Sequence, residues 1–192
     1  MLRTLPQTRE RGLLLRLAAV AIFTLLTIVS AKVSIEFGGP VPFTLQVLVV
    51  LLSGMVLGAR DGALSQLAYV ALIASGLPYD ARGLGTVALF GPTGGYLFGF
   101  IAAAFVTGFF VERAGKRLWQ RWIAGVVGIA VIYFYGMLML YAYLNATLPD
   151  GYSLAGAWSA GVAPFIGLDL LKAFIAAGLT EGARALINRQ TS

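Results

Sequence analysis

Ile123-Ala-Gly-Val-Val-Gly-Ile-Ala-Val-Ile-Tyr-Phe-Tyr-Gly-Met-Leu-Met-Leu-Tyr-Ala-Tyr-Leu144 carries no charged side chain over 22 residues. A hydrocarbon layer about 30 Å thick is crossed by about 20 helical residues, so this run alone points to a lipid bilayer. Working outward, five further apolar runs appear, approximately Leu13–Val33, Thr44–Leu57, Ala63–Ala74, Gly94–Val111 and Gly161–Leu186. The second and third in chain order are short, and five spans with one interfacial helix is the alternative count. The expectation is an all-α integral membrane protein, a six-transmembrane-helix bundle forming one membrane domain over 1–192. Its parts are an N-terminal segment 1–12, the bundle 13–187 and a tail 188–192.

Charge sets the orientation. With the N-terminus inside, Arg3, Arg9, Arg11, Arg16, Arg60, Arg113, Lys116, Arg117, Arg121, Arg184 and Arg189 all fall on the cytoplasmic side. The outer side has Lys32 and Arg82, and Lys172 lies within the last run. The positive-inside rule then puts both termini in the cytoplasm, which requires an even number of spans. Met1–Arg16 has the basic start of a signal peptide but no small-x-small cleavage site, so the first span is read as retained. Ala59-Arg60-Asp61-Gly62 reads as a tight inner turn, and the outer loops as Ser34–Phe43, Leu77–Thr93 and Asn145–Ser159.

Composition agrees. The chain is 59% hydrophobic and 11% charged, against ~45–50% and ~25% for soluble proteins. Mean hydropathy is +0.86. With no cysteine and no histidine, disulfide scaffolds, thiolate nucleophiles and the usual zinc sites are excluded, as is the commonest acid–base side chain. No P-loop pattern is present, so ATP hydrolysis by that route is excluded too. The net charge of +6 is scattered beside apolar runs, which argues for membrane topology and against nucleic acid. No cofactor or metal is expected.

Twenty-four glycines beside seven prolines suit closely packed membrane helices. Gly91, Gly95, Gly99, Ala103 and Thr107 make a smooth stripe at four-residue spacing, and Gly54 with Gly58 and Gly178 with Gly182 repeat it. Packing inside the bundle and docking on a partner subunit are the two readings of such pairs.

Asp169 and Lys172 carry the strongest chemical signal. Each ionised group inside an apolar segment costs ~2.5–3.5 kcal/mol on lenient insertion scales. A spacing of three puts them on one helical face, where they neutralise each other. A bracing ion pair is the plain reading. The sharper one is a ligand site, in which the carboxylate accepts N–H bonds from a urea-like group and the ammonium donates to a carbonyl or carboxylate. In Gly91-Pro92-Thr93-Gly94-Gly95-Tyr96 a loop becomes a helix whose first N–H groups suit a polar ligand atom. Thr93, Gly94 and Tyr96 are the candidates there, beside a plain capping role. Phe43, Thr44 and Gln46 stand at the border of the second run, with capping and ligand contact as the readings for Thr44. Tyr79-Asp80-Ala81-Arg82 reads as a surface charge pair, Asp80 with Arg82, or as a device that steers or latches a charged substrate.

Together these stretches resemble the BioY family, the biotin-specific substrate-binding subunits of energy-coupling factor transporters. The resemblance rests on Val-Pro-Phe-Thr-Leu-Gln at 41–46, Gly-Leu-Pro at 76–78, Gly-Pro-Thr-Gly-Gly-Tyr-Leu-Phe-Gly-Phe at 91–100, and Pro-Phe followed by Asp-Leu-Leu-Lys between 164 and 172. It implies six helices in a bacterial cytoplasmic membrane, biotin entering from outside, and contact with Asp169 and Lys172. It also implies a transmembrane coupling protein and two cytoplasmic ATPases as partners, besides membrane lipid. The chain departs from the family pattern in Gly167-Leu168 before the aspartate, in Tyr79–Arg82 after Gly-Leu-Pro, and in lacking an Ala-x-x-x-Ala motif in its first helix. The alternatives are a subunit for another vitamin, a membrane-embedded enzyme using Asp169 or Lys172, and an assembly subunit.

Overall fold

The structure is a computed structural model and describes residues 9–36, 38–113 and 117–190. Arg3, Lys116, most of the expected N-terminal segment 1–12 and the last residues of the tail 188–192 lie outside the described residues, as do the side chains of Arg9, Arg11 and Arg189. Among the described residues the chain forms eight helices and two short strands: α1 (Arg9–Lys32), β1 (Ser34–Ile35), β2 (Phe43–Thr44), α2 (Gln46–Leu57), α3 (Ala59–Ala74), α4 (Val87–Phe90), α5 (Gly94–Arg113), α6 (Leu118–Thr147), α7 (Leu154–Gly161) and α8 (Ile166–Gln190).

The first helix is inside-out relative to a helix of a soluble bundle. On α1, Leu14, Leu17, Ile22, Leu25 and Val29 are exposed, whereas Thr24, Thr27 and Ser30 are buried. With lipid outside, apolar contact does not select the inner face, so hydroxyls and amides supply the specific contacts. Thr24 Oγ1 donates to the carbonyls of Val20 at 2.9 Å and Ser65 at 3.0 Å. The Gln66 amide, fully buried, bonds Thr27 at 3.2 Å and Ser53 at 3.3 Å, tying α1, α2 and α3 together.

Small residues bring backbones together. A Cβ on Gly54 would strike the Ala104 carbonyl, and one on Gly95 the Tyr135 carbonyl; at Gly99 it would lie 3.1 Å from the Ile132 Cα. The stripe on α5 is therefore the seat of α6. Gly178 and Gly182 differ, since nothing lies within 4 Å of where their Cβ atoms would be; that pair faces outward.

Three boundaries depart from the sequence reading. Ala59–Gly62 is the first turn of α3 rather than a loop, and the connection is Gly58 alone at φ 86°. The Glu112 carboxylate accepts the Ala59 N–H at 3.1 Å, so a side chain from α5 satisfies a helix start that has no cap of its own. The last run is not one helix from Gly161: α7 occupies Leu154–Gly161, and α8 starts at Ile166 after a 48° bend, with Pro164 in the break. Likewise Phe43–Thr44 is a strand antiparallel to Ser34–Ile35, and α2 starts only at Gln46.

Among the described residues three helices are long and apolar enough to cross a membrane, or four counting the bent α7–α8 pair. With 12 and 16 residues, α2 and α3 are about 18 and 24 Å long, and their buried faces pack among the longer helices. Two ion pairs mark one end, where Arg16 grips Asp61 through two hydrogen bonds of 2.7 and 2.9 Å and Arg121 pairs with Glu181.

Gly95→Leu is expected to destabilise the detergent-purified protein by about 1–3 kcal/mol, as overpacking does, while Gly178→Leu leaves its melting temperature nearly unchanged. Equal shifts in thermal unfolding would contradict this packing.

Candidate functional site

At the opposite end from those ion pairs, the hairpin, the 75–93 segment, α5, α6 and α8 enclose a cavity of about 660 Å³, counted to its open mouth.

Its polar wall is built from the start of α8. Asp169 lies in the first turn, where unpaired N–H groups and the helix dipole favour a carboxylate. One turn on, the Lys172 ammonium donates to Asp169 Oδ1 at 2.7 Å and to the Thr44 carbonyl at 2.7 Å, and lies 3.9 Å from the centroid of the Phe43 ring. Tyr133 donates to Asp169 Oδ2 at 2.7 Å. The side chains of Asp169 and Lys172 are only 4% and 7% exposed, yet both line the cavity. They are therefore neither turned away from it nor bonded only to each other. A carboxylate has about four acceptor positions, and the two named bonds leave Asp169 with capacity for another donor.

Gln46 extends this wall. Its amide nitrogen donates to Tyr69 Oη at 2.8 Å, and Tyr69 donates to the Tyr79 carbonyl at 3.2 Å. The amide is thereby oriented with its oxygen toward the Thr44 hydroxyl, at 3.2 Å. Thr44 serves in both ways considered: its side chain also accepts the Gln46 N–H at 3.3 Å, and it lines the cavity. Tyr96 presents its ring, but its hydroxyl is committed to the Gly161 carbonyl at 2.8 Å, binding α5 to the end of α7. Phe100 and Phe165 complete the apolar side.

At the mouth, Arg82 joins two loops, 36–42 and 75–86. Nε and Nη2 reach the Glu36 carboxylate at 2.9 and 2.8 Å, and further bonds go to the carbonyls of Pro40 and Gly39. Lys32 bonds the Pro78 and Asp80 carbonyls at 2.6 and 2.7 Å. Buried Asp80 folds its own loop by accepting the Gly85 and Arg82 N–H groups.

Of the residues singled out in the sequence, Asp169, Lys172, Tyr96, Thr93, Gln46, Thr44, Phe43 and Arg82 line this cavity. Gly94 does not: it is pressed against the Leu89 carbonyl and the Met139 methyl, so its missing side chain serves packing. Sequence reasoning missed Tyr133 and Asp80. The inward stripe Gly125, Ile129, Ile132, Gly136 and Leu140 sets Tyr133 on its flank, which periodicity alone does not mark as polar. Asp80 looked like a surface charge because its partners are loop N–H groups.

The BioY family model matches residues 5–189. The chain is 44% identical to "Biotin transporter BioY" of Thermotoga maritima over 84% of this chain and 91% of that one. It is 42% identical to the protein of the same name in Rhodobacter capsulatus, over 74% and 78%. Among solved structures, "the S-component for biotin from an ECF-type ABC transporter" matches with a TM-score of 0.79 at 24% identity, over 93% of this chain and 95% of that one; this likeness establishes the fold.

The loop latch has a definite pH sign. The hydrogen bond from Arg82 holds the Glu36 carboxyl below its ordinary value, outweighing partial burial. A depressed folded value means that the pair contributes fully above the ordinary carboxylate range and is lost as pH falls through the lowered value. The Glu36 carboxyl, followed by carbon-13 chemical shift through an acid titration, is expected to protonate below the ordinary carboxylate range and to return toward it in Arg82→Met; the same midpoint in both proteins would refute the pairing.

Proposed function

The chain belongs to the BioY family, and from that membership we propose that it captures biotin and takes part in its uptake as the substrate-binding subunit of an energy-coupling factor transporter. It is a transporter component and not an enzyme. The observation that carries the site assignment is a buried Asp169–Lys172 pair on the wall of an otherwise mostly apolar cavity.

The chemistry of the ligand fits this wall. A cyclic urea presents an N–H and a C=O side by side, and Asp169 beside Lys172 presents an acceptor and a donor side by side. The ureido N–H bonds the Asp169 carboxylate, held in position by Tyr133. The ureido oxygen takes a Lys172 N–H or the second amide N–H of Gln46. The fused rings rest against Phe43, Tyr96, Phe100 and Phe165, gaining about 25 cal/mol per Å² of apolar area buried. A ligand without the ureido group leaves the pair unmatched, which is the basis of selectivity. The valerate carboxylate points to the mouth, where Thr93 and Arg82 stand.

The membrane arrangement follows the same logic. The chain is one membrane domain of six spans in the bacterial cytoplasmic membrane, with both termini cytoplasmic. The cavity then opens outward, and the Arg16–Asp61 and Arg121–Glu181 pairs lie on the inner side, where the basic residues concentrate. Two spans are short, and each lays one buried face against the longer helices. Inward release is driven by a transmembrane coupling protein and two ATPase subunits.

Equilibrium binding of labelled biotin to the detergent-purified chain tests the site. Asp169→Asn and Lys172→Met are each expected to weaken binding about ten- to a hundredfold, the cost of a charge-assisted hydrogen bond. Undiminished binding in both variants would remove the assignment, and displacement by another unlabelled vitamin in place of biotin would change the cargo.

A further inference from the structure

The charged groups at the cavity mouth are already committed. Arg82 lines the cavity, and of its five N–H bonds, two go to Glu36, one to Pro40 and one to Gly39. Lys32 is held by two carbonyls of the 77–93 loop. The Asp80 carboxylate is buried on backbone N–H groups. A carboxylate arriving from solvent therefore meets a guanidinium that another carboxylate already holds in the two-pronged geometry such a ligand would use.

We infer that Glu36 is an internal competitor for Arg82, occupying the guanidinium face that the ligand's carboxylate takes and so setting how strongly the site holds an anionic tail. The inference rests on the reading that biotin is the ligand and that its tail points to the mouth. The three partners of Arg82 are of two kinds. Glu36 has a side chain 48% exposed, so it swings into water at small cost. The Gly39 and Pro40 carbonyls are backbone groups and hold the guanidinium in place while its carboxylate partner is exchanged. The swap replaces one bidentate pair by another, so the anionic tail contributes only the difference between the two. A ligand with a neutral amide tail has no charge with which to displace Glu36, and its binding is indifferent to that residue. Glu36 is thus a specificity-determining residue that narrows the preference for free acid over amide.

Titration calorimetry of the full chain in detergent, with biotin and biotinamide as the two probes, tests this directly. In Glu36→Gln, biotin affinity is expected to rise roughly two- to fivefold, the range for an exposed ion pair, while biotinamide affinity stays the same. The gain is expected to vanish when Arg82→Met is combined with Glu36→Gln, and Glu36→Ala is expected to reproduce the pattern without the amide of glutamine. Equal shifts for both ligands, weaker biotin binding, or a gain that survives Arg82→Met would overturn the inference and leave Glu36 as a loop brace. Failure of the wild-type chain to bind either probe would instead defeat the biotin reading, and this inference with it.

Discussion

The bundle is organised around an ammonium and a carboxylate that have left water. Lys172 and Asp169 lie within hydrogen-bond distance of each other, and neither survives in an apolar setting without its partner. Their remaining needs are met from three other places: the Thr44 carbonyl before α2, the Tyr133 hydroxyl on α6, and the Phe43 ring on the hairpin. Satisfying one ion pair thus fixes α8 against α6 and against the entrance to α2. The cavity is the space left where these elements converge, and its polar wall is the same set of contacts that holds the helices.

A second polar layer, nearer the middle of the bundle, has no access to the cavity. Thr27, Ser53, Ser65 and Gln66 are fully buried and bonded among themselves. An unmatched amide in hydrocarbon is costly, so this cluster specifies the register of α1 against α2 and α3, which interchangeable leucines facing lipid do not. Glycines supply the approach between helices, and hydroxyls and amides supply the alignment.

Much of this was legible in the sequence because lipid simplifies the code. Runs of apolar residues located the helices, and Asp169 with Lys172 stood out because ionised groups are rare in such runs. Spacing marks Gly95 and Gly99 as part of a smooth stripe, for which packing inside the bundle is one of two readings, and the nearness of Tyr135 and Ile132 decides for it. Other features depended on residues far apart in the chain. Nothing near Ala59 announces that Glu112 completes its helix start, so the turn was drawn one turn too long. Gly94 shares the small size of its neighbours, and only the nearby Leu89 carbonyl shows that it packs instead of lining the cavity. Tyr133 is one of several tyrosines in an apolar run, and its partner is 36 residues away. Gly178 and Gly182 have the spacing of a packed pair but face outward, because spacing reports a smooth surface and not what covers it.

The borrowed cap on α3 bears on how the protein is made. When α2 and α3 leave the ribosome, neither is long enough to cross the bilayer alone, and Gly58-Ala59 lacks the carboxylate that will satisfy it until α5 has been synthesised. While the 53 residues that separate the two groups are being made, the Ala59 N–H is left to water, and the turn takes its final form only when α5 delivers Glu112.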